Sequence, residues 1–499
     1  MENTMVGAKI PGTKWESHFD PYRDKIVGQY AELEGPFGKK RILYADWIAS
    51  GRLYEPIETK MLEEIGPMVA NTHTETSYTG STMTKAYHRA KQIIKQHVNA
   101  SLDDVLIPTG TGMTGAALKF QRILGLKLPE QFKGKIEMDD QFRPVVFVSH
   151  MEHHSNQTSW LETIVDLVVI GHTDQGLMDL NHFDQLLEQY ADRPYKIACI
   201  TSCSNVTGVF TPYYEVAKKI HKAGGYCFVD FAASGPYVEI DMHPEEEGAH
   251  LDAIFYSPHK FLGGPGTPGI LIFNSQLYRN SVPDHPGGGT VLWTDPWGGR
   301  YYIEDIETRE DGGTPGFLQT IKAAFAMQLK DEIGVKAIKA REKELLSYIF
   351  DRFEKIPGMV VLAGHIKDRI GAVSFYLQEV HYNFVVQLLN DLFGIQTRGG
   401  CSCAGTYGHY LLHLDQESSS KSLNKIIAGD QSIRPGWVRL SVHPTFTDQE
   451  VIDICDAIEH IALHWQDYAP QYHYEKGSNR FIHLQSPDHS DRQVNSWFS

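Results

Sequence analysis

The chain has 499 residues, 41% of them hydrophobic and 11% aromatic, so it can bury a large core, and its length suggests about three domains. Its 62 acidic against 46 basic residues give a formal charge of −16, which argues against charge-driven binding to nucleic acid or to anionic membrane surfaces. No apolar run approaches the ~20 residues of a membrane-spanning helix, and Met1–Asp20 lacks the apolar core of a signal peptide, so a cytoplasmic protein is expected.

Short apolar runs alternate with helix-like stretches from about residue 100 to 275. Asp104–Pro108, Val145–Ser149, Leu167–Ile170, Ile197–Thr201, Tyr226–Asp230, Ala253–Tyr256 and Ile270–Phe273 read as strands. Amphipathic helices separate several of them, such as Tyr213–Ala223 entered through Pro212. That alternation predicts an α/β fold on a mostly parallel sheet. Phe317–Leu329 and Val335–Phe353 then read as two long helices. Met359–Leu362, Ala372–Leu377 and Trp437–Ser441 suggest strands of a smaller α+β domain. Gln471–Ser499 is polar and aromatic without periodicity, an extension that packs on the body or stays loosely ordered.

Within this frame Lys260 stands out. It follows Leu251–Tyr256, a short buried strand ended by Ser257-Pro258, and glycines after it leave room for a ligand. The carboxyl edge of an open α/β sheet is where ligands bind, and a partly desolvated amine there suits a Schiff base. Taken alone, a surface lysine beside a glycine-rich loop is an equal reading. Gly110-Thr-Gly-Met-Thr-Gly115 follows one strand and opens a helix, matching G-x-G-x-x-G. A nicotinamide dinucleotide would want an acidic residue closing the next strand, but that strand ends Val148-Ser149-His150. Backbone N–H groups at a helix start serve a single phosphate equally well. Asp230 closes another strand, either as a cap for the next element or to hold a proton on a heterocyclic nitrogen. His153 either stacks on a planar ring or caps a helix; Asn205 either donates to a phenolate-like oxygen or makes a turn. The six cysteines, Cys199, Cys203, Cys227, Cys401, Cys403 and Cys455, lack C-x-x-C spacing, and the 24 histidines form no H-E-x-x-H, so no metal site is expected.

Together these residues answer one ligand: a planar pyridine with a phosphate, a ring nitrogen, an oxygen and an aldehyde. From Tyr44 to Pro444 the chain resembles the class V aminotransferase group of fold type I pyridoxal-phosphate enzymes, and within it the cysteine desulfurases and selenocysteine lyases. Ser257-Pro-His-Lys260 with the glycine-proline stretch after it carries much of that resemblance, and the motifs come in matching order.

The resemblance implies a large seven-stranded, mostly parallel domain over residues 44–316 and a smaller α+β domain over 317–470. Residues 1–43 would pack on the small domain, and 471–499 would form a C-terminal extension. It implies pyridoxal 5'-phosphate as cofactor, Lys260 as the Schiff-base lysine, Asp230 on the pyridinium nitrogen and His153 on the ring face. Asn205 would lie near the ring oxygen and the substrate. Thr111, Gly112, Ser257 and His259 would hold the phosphate. Gly313-Thr314-Pro315 matches a segment that reaches the phosphate of a second copy, implying a homodimer. Arg439 would clamp the substrate carboxylate, with Arg398 beside it, although alone Arg439 reads as a structural ion pair. In Arg398-Gly-Gly-Cys-Ser-Cys-Ala404, Cys403 falls in register with the desulfurase nucleophile, Cys401 being an extra thiol; the residues alone also fit two small hydrophobes after a strand.

The expected reaction is therefore transfer of sulfur from L-cysteine to Cys403 with release of alanine, and a sulfur-acceptor protein is a possible further partner. Two departures concern the substrate site. Ala233 stands where desulfurases carry glutamine or histidine, and residues 405–435 form a longer segment than in compact desulfurases. The alternatives are transamination, racemisation or elimination on another amino acid without Cys403, and a non-catalytic binding protein on the same fold.

Overall fold

The computed structural model describes residues 9–72, 74–132, 134–135, 138–485 and 490–499. The chain divides into two compact units, one of residues 49–204 and 209–335, the other of 1–48, 205–208 and 336–499.

The larger unit is built on seven strands: β1 Asp104–Thr109, β2 Val145–Ser149, β3 Asp166–Ile170, β4 Lys196–Thr201, β5 Tyr226–Asp230, β6 Ala253–Tyr256 and β7 Gly269–Asn274. They lie in the order β1-β7-β6-β5-β4-β2-β3. All neighbours are parallel except β7, which runs antiparallel to both β1 and β6. β2 and β4 are buried along their whole length, as befits strands covered on both faces, and this is why they read as unbroken apolar runs. Each expected strand is present to within a residue or so at its ends.

Helix Tyr213–Lys222 starts after Pro212 and buries Val216, Ala217 and Ile220, spaced to lie on one face. Helix Phe317–Ile333 contributes Ile321, Ala324 and Met327 to the core that contains Ile254, Tyr256 and Ile270, and the Tyr256 hydroxyl donates to Met327 Sδ at 3.7 Å. That packing places the helix in the larger unit, whereas the expected large domain closes at 316.

The other unit carries a four-stranded antiparallel sheet of β8 Met359–Val361, β9 Ala372–Leu377, β10 Arg398–Gly400 and β11 Trp437–Ser441, in the order β8-β9-β11-β10. The N-terminal segment is tied to the same unit: Ile10 N–H and Thr13 Oγ1 both donate to Asp448 Oδ2, at 3.0 and 2.6 Å. Thr447 and Glu450 form a reciprocal cap at the start of helix Asp448–Tyr468. The C-terminal stretch contains a hairpin, Tyr472–Glu475 with Arg480–His483. It packs through Phe481 stacked on Phe384 and a 2.7 Å bond from the Tyr472 hydroxyl to Asp391, contacts that depend on aromatic bulk rather than periodicity. No described helix is long and apolar enough to cross a membrane.

Candidate active site

In the larger unit the candidate residues gather at the carboxyl edge of the sheet. β1 ends at Thr109, and Gly110-Thr111-Gly112 leads into helix Met113–Ile123. Gly110 and Gly112 have φ of +59° and +153°, conformations that L side chains rarely adopt. A Cβ on Gly112 would meet Ser257 Oγ at 3.1 Å and His259 Nε2 at 3.6 Å. The Met113 N–H donates to Ser257 Oγ at 2.8 Å. Backbone donors, a hydroxyl and an imidazole therefore converge at one helix start, with a bare backbone that leaves space for a phosphate. Burial and the neighbouring Lys260 push His259 down to about 4, so its ring is neutral near pH 7. Thr111 is exposed at the tip of the loop, and a cavity of about 460 Å³ opens beside it, lined by Thr111, Thr267 and His285 among others.

Asp230 ends β5 and is buried; its Oδ1 accepts the Ala232 N–H at 2.7 Å. Burial lifts its carboxyl to about 6, against the pull of that bond and of the Lys260 charge. A pyridinium proton is a partner that would restore the ionised form. Lys260 closes the short turn Pro258–Lys260 after β6, half-buried. His153 caps helix His154–Leu161, its Nδ1 accepting the Ser155 N–H at 3.1 Å, so the other ring nitrogen carries the proton. The capping reading holds for His153, and one ring edge is committed to it.

Sequence reasoning missed Glu152. This buried carboxylate accepts from Ser149 N–H and Oγ–H, the Thr201 N–H and the Asn156 amide, at 3.1, 2.5, 2.9 and 2.7 Å. It thereby pins the ends of β2 and β4 on either side of the turn that carries His153. Burial raises it to about 7 in spite of those bonds. The only signal was an acid beside two histidines at a strand end. Ala233 is buried, and Thr314 is exposed, its Oγ1 accepting from Asn71 at 3.3 Å.

The smaller unit holds the remaining candidates. Arg398 and Arg439 face each other in register across β10 and β11. Asp46 binds both: Arg398 Nε donates to its Oδ2 at 2.8 Å, and Arg439 Nη2 to its Oδ1 at 2.6 Å. Asp46 was not a candidate from sequence, since a lone acid 352 and 393 residues from its partners carries no local signal. Arg439 is buried, and its Nη1 also donates to the Asn205 carbonyl at 3.1 Å. It forms the ion pair that the residue alone suggested. Its Nε nevertheless has no hydrogen-bond partner, and neither has the buried Oδ1 of Asn205. Such orphaned polar atoms are costly in a core, and a carboxylate is the group an unused guanidinium N–H would bind. Asn205 Nδ2 donates to the Ser402 carbonyl at 2.7 Å.

Ser402 and Cys403 both lie in the left-handed region, φ +52° and +57°, a pairing that costs energy for residues with a Cβ. The Trp437 indole donates to Ser402 Oγ at 3.2 Å and holds the loop from behind. Cys403 is exposed and Cys401 half-buried. The Cys403 side chain lies close enough to interact electrostatically with both Arg398 and Arg439. Residues 405–435 contain helices Gly405–Leu411 and Gln416–Ile427, the second without a buried residue.

A mostly parallel sheet with a buried acid, a lysine turn and a glycine-capped helix at its carboxyl edge defines a fold type I pyridoxal-phosphate enzyme, and the donor set of the larger unit suits that cofactor. The family model for aminotransferase class V matches residues 43–453, and the chain belongs to that family. Among curated proteins it is similar to a probable cysteine desulfurase of Staphylococcus aureus, 24% identical over 76% of this chain and 87% of the relative. A probable cysteine desulfurase of Staphylococcus epidermidis is 26% identical over the same shares. Among solved structures, a cysteine desulfurase from Thermococcus onnurineus superposes with a TM-score of 0.70 at 20% identity, covering 92% of this chain and all of that one. The cysteine desulfurase CsdA of Escherichia coli gives 0.68 at 20% identity, over 90% and 98%. These likenesses establish the fold.

Proposed function

We propose that the protein takes sulfur from L-cysteine onto Cys403 and releases alanine. The observation that carries this reading is an exposed thiol on a strained turn, within the field of two arginines that one carboxylate holds in place. The similarity to cysteine desulfurases supports the same reaction.

Pyridoxal phosphate, when bound, supplies an electrophilic carbon for the substrate amine and a ring that accepts the electron pair released at Cα. The Gly112 backbone, Thr111, Ser257 and His259 hold its phosphate, and Asp230 keeps a proton on the ring nitrogen. His153 covers the ring and Asn205 attends its oxygen. Arg439, with Arg398, fixes the substrate carboxylate through charge-assisted bonds. Lys260 receives the proton from Cα as a free amine. The Cys403 thiolate attacks the substrate sulfur. An S–S bond forms as the Cβ–S bond breaks with its electron pair going to carbon. Protonation of that carbon, and return of the proton from Lys260 to Cα, yield alanine and leave a persulfide on Cys403. A homodimer in which Thr314 serves the phosphate of a second copy, and a sulfur-acceptor protein, complete the proposal.

The test is product analysis with L-cysteine in the presence of a thiol reductant. Alanine and sulfide in equal amounts from the wild type, with both lost in Cys403→Ala, is the expected result. Turnover of another amino acid that survives Cys403→Ala would replace this reading with transamination or lyase chemistry.

A further inference from the structure

At the opposite, amino end of the large sheet, three side chains that the chemistry above does not use come together. Asp252 immediately precedes β6; its Oδ2 accepts the Cys227 N–H at 2.7 Å, which fixes the carboxylate against the start of β5. His221 lies in the last turn of helix Tyr213–Lys222, with its Nε2 2.8 Å from Asp252 Oδ2. Its other nitrogen, Nδ1, sits 2.7 Å from the Gly248 carbonyl. His250 stacks on His221, ring centroids 4.0 Å apart and planes 10° from parallel, and its Nε2 is 3.8 Å from Asp252 Oδ1. One ligand atom from each of the three lies within 4.8 Å of the others.

We propose that His221, His250 and Asp252 form a site for a single divalent transition-metal ion of the zinc class. Two imidazoles and a carboxylate are the donor set such ions prefer. The Nδ1–H bond to a backbone carbonyl is the outer contact that fixes a metal-bound histidine and turns Nε2 toward the ion. In the ion-free protein the Nε2–Asp252 contact holds a proton, and the ion takes that proton's place. Tetrahedral coordination brings neighbouring ligand atoms to ~3.3 Å, so the triad, now within 4.8 Å, has to contract by up to about 1.5 Å, and the His250 ring has to turn out of its stack on His221. The side chain free to make that movement is His250, about half exposed, whereas His221 and Asp252 are largely enclosed. Water completes the coordination. No sequence motif announces this site, because its ligands come from a helix end, a loop and a strand entry.

The ion would join the end of helix Tyr213–Lys222 to the entry of β6, the strand that leads at its far end to Lys260. The consequence is metal-linked stability of the larger unit, with the cofactor edge left unchanged.

Equilibrium dialysis of the pyridoxal-phosphate-loaded protein against Co²⁺, followed by visible spectroscopy, tests this. One Co²⁺ per chain is expected, with ligand-field bands and no thiolate charge-transfer band. Affinity should fall by at least ~10-fold in His250→Ala, a change at an exposed side chain that leaves the cofactor absorbance intact. Zn²⁺ should raise Tm in the wild type and not in that variant. Absence of Co²⁺ uptake, uptake unchanged by His250→Ala, or a thiolate charge-transfer band locating the ion at Cys401 or Cys403, would each overturn the proposal.

Discussion

At the carboxyl edge of the large sheet the candidate groups are fixed by strand ends: Asp230 closes β5, Lys260 follows β6, and Gly112 caps the helix after β1. In the smaller unit Arg398 and Arg439 share one carboxylate from a distant part of the chain, and the thiol stands on two consecutive left-handed residues. The first arrangement is a cradle of backbone geometry and burial. The second is a charge network with a strained loop on top of it. In the proposed function, cofactor binding thus draws on strand ends of a buried sheet, whereas the choice of reaction draws on a loop of the smaller unit.

The comparison breaks most visibly at Lys260. Lys260→Ala should reduce turnover by at least ~10²–10⁴-fold and remove the cofactor's lysine-linked absorbance, while Tm stays close to that of the wild type. Retained turnover would mean that the cradle is not the seat of the chemistry.

Asp46 provides the next largest effect. Asp46→Ala leaves Arg439 buried without its counter-charge, at an expected cost of about 3–5 kcal/mol, read as a fall in the denaturant midpoint. Asp46→Asn should recover part of that loss, because it keeps an acceptor for one guanidinium. Both variants should still bind pyridoxal phosphate, since the cradle lies in the other unit.

The pH dependence of the cofactor-free protein sharpens the contrast. Burial lifts Asp230 from its ordinary 3.8 to about 6 and Glu152 from 4.5 to about 7. The folded chain therefore holds protons that the unfolded chain has released. The contribution of these two groups to stability is fully present below about pH 4 and is lost as pH rises through about 6 and 7. For Asp230 that loss is about 3 kcal/mol when fully ionised. The Tm difference between Asp230→Asn and the wild type should therefore grow in the variant's favour as pH rises through about 6, and added cofactor should shrink it. A difference that stays constant across that range would contradict the assignment.

A smaller effect separates charge from geometry. Arg439→Lys keeps the charge but loses the planar fork. KM for the amino acid should rise by about tenfold or more, with the cofactor spectrum unchanged.

How far the sequence foretold this molecule differs between the same two regions. The seven strands were legible because burial on both faces leaves unbroken apolar runs, and the end that leads to Lys260 was marked by Ser257-Pro258. The direction of β7 was not legible from its residues, although the 12 residues between Tyr256 and Gly269, helical only in the three-residue turn Pro258–Lys260, leave little room for a parallel crossover. Arg439 and Cys403 became candidates through motif order, but Asp46 did not, because an ion pair closed across hundreds of residues has no periodic signature. Glu152 was hidden for a related reason: its four donors come from β2, β4 and the helix between them, and only folding assembles them. The C-terminal hairpin escaped because its packing depends on Phe481 and Tyr472 meeting Phe384 and Asp391.

The most direct test of the central claim is to locate the sulfur after a single turnover. The loaded enzyme would be mixed with one equivalent of L-cysteine, alkylated and analysed by peptide mass spectrometry. A persulfide on Cys403, formed together with alanine and absent from Cys401, is the predicted result. A persulfide on Cys401 instead, or alanine formed with no protein-bound sulfur, would contradict it.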